Sequence, residues 1–187
     1  GKQWPKIDQG THGEAYEIRT IPTDVLLQPS QNQKLRFEAL DEKGHILSEI
    51  KKTNFSKFIP ATAKVKTEMD AQFKDDTISA AKGAKTSAGA WKGGNGELSG
   101  IFRGRVLDQL PFNENFETYN AVINSKIDPG EKFAFPPLPW IGARFKWEVR
   151  EIDGNKALRK TLDRVLFQRA MTFIGHPELS NYVMQAD

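Results

Sequence analysis

The 187-residue chain contains no cysteine, which excludes disulfide bonds, thiolate metal sites and a cysteine nucleophile. It has no apolar run near the roughly 18 residues that a membrane-spanning helix needs, and no signal peptide is recognisable. Its 27 basic and 24 acidic side chains are interleaved and give a net charge of only +3. The sequence therefore predicts neither a membrane span nor a nucleic-acid-binding surface.

Helical periodicity is also scarce. The best candidate is residues 156–171, where Leu158, Leu162 and Val165 recur at helical spacing. The same stretch contains runs that suit strands equally well, so both interpretations stay open.

Strand patterns, in contrast, are frequent. In residues 34–40, Leu35, Phe37 and Ala39 alternate with charged residues, which is typical of a half-buried strand. Residues 41–44 form a predicted turn that ends in a glycine, and the chain then returns as a second strand. Residues 34–50 are therefore predicted to be a hairpin.

Further short strands are predicted on both sides of this hairpin, at residues 15–21, 63–68, 71–75, 86–91 and 98–106. Spacings of about 8–12 residues, with turns between the strands, are typical of an antiparallel β-sandwich. We therefore expect residues 1–12 to be an N-terminal linker and residues 13–107 to be an immunoglobulin-like sandwich.

A second β-domain is predicted for residues 110–187. Pro111 ends the preceding strand, and Asp153–Gly154 is a strong turn signal within a hairpin over residues 146–158. Residues 172–175 and 181–187 are also strand-like. We expect this domain to be part of a jelly-roll-like sandwich whose unpaired strand edges permit self-association.

Residues 10–27, 96–106, 110–117, 140–158 and 172–187 together resemble the region that follows the β-propeller in bacterial PQQ-binding-like propeller proteins. The resemblance implies an immunoglobulin-like domain followed by a concanavalin- or laminin-G-like jelly roll. It also implies a periplasmic or extracellular location and a neighbouring propeller outside this chain. Phe112 and Asn115 depart from the Trp and Asp that are usual in the motif opening the second domain. Because the start at Gly1 is not typical of a natural protein, we expect a fragment.

Cofactor and metal signals are weak. No propeller repeat of roughly 40 residues is present, so we assign no PQQ site and expect no cofactor. The three histidines, His12, His45 and His176, have no metal-ligand spacing. Residues 75–77 and 127–131 could contribute oxygen ligands to calcium, but neither stretch supplies the six or more that calcium takes.

Catalytic patterns are absent as well, and we predict that the chain is not an enzyme. It has no nucleophile-elbow motif and no phosphate-binding loop. Glu114 and Glu117 would face opposite sides of a strand, which is wrong for glycosidase chemistry. We expect Glu117 to be a structural hydrogen-bond acceptor.

Aromatic residues offer one candidate binding site. Tyr119, Trp140, Phe145 and Trp147 lie within thirty residues of one another, and exposed aromatic rings can stack on sugars. Trp140 follows a proline in a predicted loop and is the best candidate for exposure. Phe145 and Trp147 could instead form the core of the second domain.

Three functions are consistent with these patterns. The first is a non-catalytic accessory or interaction region of a large exported bacterial protein, which spaces or docks a neighbouring domain. The second is a carbohydrate-binding module that uses Tyr119, Trp140 and Trp147. The third is a fragment of an enzyme whose active site lies outside this chain.

Overall fold

A computed structural model describes residues 10–144, 146–161 and 171–186 of the protein. Over these ranges the chain is all-β, and its strands form five sheets. Within them, no helix has the length and hydropathy needed to cross a membrane. The strands in chain order are β1 (Ala15–Ile21), β2 (Asp24–Leu27), β3 (Asn32–Lys34), β4 (Arg36–Asp41), β5 (Ile46–Ile50), β6 (Asn54–Phe58), β7 (Gln72–Lys74), β8 (Thr77–Ser79), β9 (Ser87–Asn95), β10 (Leu98–Val106), β11 (Ile123–Asn124), β12 (Lys132–Phe133), β13 (Trp147–Ile152) and β14 (Asn155–Lys160).

Two main sheets enclose the core of the first part of the chain. One has the order β1-β4-β5 and is antiparallel throughout. The other has the order β2-β10-β9-β6, in which only β2 and β10 run parallel. A smaller antiparallel sheet, β3-β8-β7, continues beside them. The predicted sandwich is therefore confirmed at the level of an all-β layered fold.

The alternation of residue types explains which side chains enter this core. Leu35, Phe37 and Ala39 are buried as predicted, and the hairpin of β4 and β5 turns through Gly44 at a φ of 85°. Both main sheets contribute to a single hydrophobic cluster. At its centre, aromatic rings pack with centroids 5.2–6.5 Å apart: Phe37, Phe55, Phe73, Trp91 and Phe102.

The strand predicted at residues 63–68 is wrong. This segment crosses β9 as an irregular chain, and Thr67 donates its hydroxyl hydrogen to the Ala88 carbonyl at 2.9 Å. Its end brings the backbone of Glu68 and Met69 against Gly89 and the fully buried Met69 side chain against Gly104. So close an approach requires glycine at position 89, because a side chain there would stand between the two backbones.

The later residues form two small sheets, β11-β12 and β13-β14. The predicted hairpin over residues 146–158 is confirmed, and both turn residues, Asp153 and Gly154, have positive φ. The helix interpretation of residues 156–171 is wrong for residues 156–160, which this turn pairs against β13 as strand β14. Residues 162–170 lie outside the described residues.

The strand-like pieces near the end of the chain were also wrongly predicted as strands. Phe173 makes only an isolated bridge to Ile141, and residues 181–186 have no strand partner among the described residues. Too few alternating backbone groups meet a partner here to form a ladder.

Candidate functional site

The aromatic residues proposed to bind a glycan do not form an open platform. The expectation that Trp140 is exposed is wrong, because only 9% of its surface is accessible. The ring of Phe116 packs edge-on against it, with centroids 5.9 Å apart. The backbone N–H of Trp140 donates to the Pro137 carbonyl at 3.0 Å, which folds the proline-rich loop inward.

Tyr119 belongs to the same small cluster. Its ring lies 6.3 Å from that of Phe116, and its hydroxyl donates to Glu114 Oε2 at 3.1 Å. Burial and the nearby Glu114 charge raise the pKa of Tyr119 well above its ordinary value. Tyr119 therefore acts as a neutral structural donor.

Trp147 stands apart from this cluster at the start of β13. It is half-buried, and its indole nitrogen is buried without a hydrogen-bond partner in the part of the chain that the structure describes. Phe145 lies outside the described residues. The structure thus brings Tyr119 and Trp140 together through Phe116, but Trp147 makes no ring contact with them among the residues described.

The carboxylates of Glu114 and Glu117, in the segment that begins the second part of the chain, form hydrogen bonds to backbone groups of the fold. Glu114 accepts the Phe116 N–H at 2.7 Å, and Glu117 accepts the Lys156 N–H at 3.0 Å. The Lys156 ammonium also donates to the Glu117 carbonyl at 2.7 Å. The prediction that Glu117 is a structural acceptor is confirmed, and its contacts attach this segment to the β13-β14 turn.

Two histidines that are distant in sequence meet at one end of the β1-β4-β5 sheet. The rings of His12 and His45 stack with centroids 5.2 Å apart. His45 also bonds through Nδ1 to Asp41 Oδ2 at 2.8 Å. Asp41 is buried and accepts the backbone N–H groups of Gly13, Lys43 and His45 at 2.8–2.9 Å. Asp41 and His45 meet within one turn, but sequence spacing missed His12 and Gly13 because the pairing of β1 with β4 brings them there.

The Asp41 cluster predicts an acid-sensitive fold. The hydrogen bond from Gly13 and those from His45 hold the pKa of Asp41 well below its ordinary value. A carboxylate with a lowered folded-state pKa stabilises the protein fully above its unfolded pKa of about 3.9 and loses that contribution as the pH falls further. We expect the melting temperature of the wild type to drop more steeply below pH 4 than that of Asp41→Asn. Thermal melts between pH 7 and pH 2 measure this; parallel curves would contradict it.

A second buried charge cluster surrounds Arg150 on β13. Its guanidinium bonds to Glu148 at 2.7 Å, Asp128 at 3.0 Å and the Ser125 hydroxyl at 2.9 Å, and it also contacts Glu131. Burial acts to lower the pKa of Arg150, but the Glu148 hydrogen bond and the three acidic charges outweigh it and raise the pKa. The oxygens of residues 127–131 considered for calcium therefore face an arginine.

The other calcium candidate, residues 75–77, lies at the turn between β7 and β8. There Asp76 accepts the Thr53 hydroxyl hydrogen at 3.0 Å. No cluster of three or more potential metal ligands occurs among the described residues.

One open cleft lies between β2, β3 and the segment carrying His176. Its volume is about 420 Å³, and it is open to solvent and lined mainly by polar groups. We call it the β3 cleft, and it is lined by Leu26, Leu27, Ser30, Gln31, Asn32, Gln33, His176 and Glu178. Sequence analysis placed none of these residues in a site together, because nearly 150 positions separate the two walls.

Comparisons with known proteins give no match: no family model, curated protein or solved structure is significantly similar to this chain.

Proposed function

We propose that this chain is a non-catalytic interaction module of a larger exported bacterial protein, which docks against a neighbouring domain. The observation that most directly supports this proposal is a concentration of exposed apolar side chains in residues 171–184. Six of them stand more than a third exposed: Met171, Phe173, Ile174, Tyr182, Val183 and Met184. A large contiguous apolar surface marks a protein interaction site, and we expect these six side chains to form one.

The strand order supports the immunoglobulin-like part of this proposal. In such a fold, one sheet contains strands A, B, E and D and the other contains C, F and G. Here β1-β4 and β3-β8-β7 follow the first order if β3 and β4 are two halves of strand B and β5 is an added strand beside β4. The sheet β2-β10-β9-β6 follows the second order, with β2 added beside the last strand. Domains of this type serve as spacers and recognition modules on many scaffolds, so the fold alone specifies no chemistry.

The internal pairing of the buried charged groups supports the proposal that the chain is non-catalytic. Asp41 and Arg150 hold turns and strands together through the contacts described above. The buried Glu38 is paired with Arg19 and Arg36 on the same sheet. Groups that are saturated by internal partners stabilise a fold and are poorly placed to exchange protons with a substrate.

The exposed apolar segment provides the test. The double variant Val183→Ser/Met184→Ser removes the two most exposed of its side chains. We expect it to lower the fluorescence of the bound apolar dye ANS by about half, because ANS reports exposed apolar surface. It is also expected to weaken binding to the adjoining domain of the parent polypeptide, measured by fluorescence anisotropy.

The matched control is Tyr16→Ser/Ile101→Ser, which replaces two exposed apolar residues on the first sandwich. This control should leave both signals near the wild-type level. Equal effects of the two double variants would contradict a docking surface at residues 171–184. Turnover of ester or glycoside substrates by the purified chain would contradict the non-catalytic assignment.

A further inference from the structure

The β3 cleft is walled on one side by His176, whose ring makes polar contacts only with Glu178 among the described residues. The His176 side chain is nine-tenths buried, and its Nδ1 accepts the backbone N–H of Glu178 at 3.3 Å. A neutral imidazole that accepts at Nδ1 carries its proton on Nε2. Within the described residues that Nε2–H has no partner, so it is a hydrogen-bond donor available to an occupant of the cleft.

The opposite wall carries planar amides whose bonding capacity is only partly used. Gln31 accepts the Gln28 N–H through Oε1 at 2.8 Å, which leaves its NH₂ group as a donor. Gln33 donates through Nε2 to the Lys34 carbonyl at 2.8 Å, which leaves its Oε1 as an acceptor. Asn32 makes no side-chain hydrogen bond within the described chain. The wall therefore presents donors and acceptors in close succession.

The charge and shape of the lining narrow the class of ligand. Among the described residues that line the cleft, Glu178 is the only acidic one and none is a lysine or an arginine, so an anionic ligand would meet repulsion without a counter-charge. The half-buried Leu26 provides a small apolar surface beside the polar groups, whereas Leu27 is buried in the core. Amides, a hydroxyl, an imidazole and one carboxylate beside an apolar surface complement a neutral molecule with both C–H faces and many hydroxyl groups.

We propose that the β3 cleft binds a neutral oligosaccharide. Each sugar hydroxyl both donates and accepts, so it can bridge the unused donor of Gln31 and the unused acceptor of Gln33. The His176 Nε2–H donates to a ring or hydroxyl oxygen from the facing wall, and Glu178 accepts a hydroxyl hydrogen. This site is separate from Tyr119, Trp140 and Trp147, and the proposal does not depend on the docking role of residues 171–184.

The first experiment is a titration of the ¹⁵N-labelled chain with neutral hexasaccharides of glucose, xylose, mannose and N-acetylglucosamine, followed by NMR. Concentrations up to about 10 mM detect dissociation constants in the millimolar range. We expect saturable shifts of the Asn32, Gln33 and His176 amides with at least one sugar. No saturable shift with any of the four sugars would overturn the proposal, as would shifts confined to residues outside the cleft.

Two variants then locate the contacts. His176→Asn retains an acceptor near the Nδ1 position and deletes the Nε2 donor, while Asn32→Ala removes an amide from β3. Each is expected to weaken binding about fivefold to tenfold, the usual consequence of losing one hydrogen bond. Should His176→Asn fail to fold, Asn32→Ala still decides the question.

The matched control is Gln72→Ala on β7. Asn32 and Gln72 both pair with Ser79 of β8, from opposite sides of the same three-stranded sheet, and both are exposed. Of these two residues, Asn32 lines the cleft and Gln72 does not. Binding that Gln72→Ala weakens as much as Asn32→Ala would overturn the assignment to this cleft, and so would affinity for extended peptides without affinity for sugars.

Discussion

Replacing Arg150 with methionine is expected to destabilise the protein by about 3–5 kcal/mol, the usual cost of removing one partner from a buried ion pair. The side chain of Arg150 is 5% exposed and that of its partner Glu148 is 11% exposed. Without the guanidinium, Glu148 is a buried carboxylate next to two further acidic groups. The substitution keeps the apolar stem, so the loss of charge pairing dominates the change. Urea unfolding measures it as a lower transition midpoint at unchanged slope.

The comparison variant is Arg159→Met on the neighbouring strand. Arg159 lies 3.9 Å from Asp128, but its side chain is 53% exposed. Exposed ion pairs contribute about 0–1 kcal/mol, so this variant should unfold close to the wild type. Adding Glu148→Gln to Arg150→Met should recover part of the stability. A loss of stability in Arg150→Met no larger than in Arg159→Met would show that the cluster is not a buried electrostatic unit.

Gly89→Ala is expected to cost about 3 kcal/mol, the upper part of the usual range for overpacking a core. A Cβ at this position would overlap the Met69 backbone nitrogen and lie 2.9 Å from the Glu68 carbonyl carbon. The obstacle is backbone, which cannot rotate away as the end of a side chain would. The irregular segment 63–70 would have to lift from β9, and circular dichroism melts would report the loss.

Gly83→Ala is the control for that substitution. Gly83 lies in the loop before β9, where an added Cβ meets nothing within 4 Å. Its backbone conformation does not require glycine, so alanine there is expected to be neutral or to stabilise slightly by restricting the unfolded chain. Similar melting temperatures for the two variants would mean that the irregular segment 63–70 can move away from β9 at little cost in stability.

Sequence predicted the fold best where one local rule decided the structure. The strands at residues 15–21 and 98–106 have the predicted bounds, and the 146–158 hairpin follows its Asp153–Gly154 turn. In these places alternation or turn chemistry agrees with the tertiary contacts. The strand over residues 63–68 failed because side-chain hydrogen bonds and a glycine in β9 favour a close irregular path.

The candidate sites were far harder to predict. Trp140 was expected in an exposed loop, but Phe116, 24 positions earlier, covers it. The β3 cleft unites residues 26–33 with residues 176–178, and the Asp41 cluster unites Gly13, Asp41 and His45. Apart from Asp41 and His45, which share one turn, no local pattern marks such groupings, since they arise from strand pairing and from the return of the chain. Only the unusual richness in amides at residues 31–33 could have drawn attention to the cleft.

The parallel pairing of β2 with β10 has a mechanical consequence. The two strands pair from Asp24 with Arg103 to Leu27 with Val106, near the beginning and the end of the first sandwich. Once β1 has detached from β4, tension drawn through the polypeptide would pull β2 back toward its amino end and β10 forward toward its carboxyl end. The hydrogen bonds between them lie across that direction and are strained together, in shear, instead of opening one after another. We expect a segment joined in this way to resist extension, as the proposed role of spacing a neighbouring domain would require.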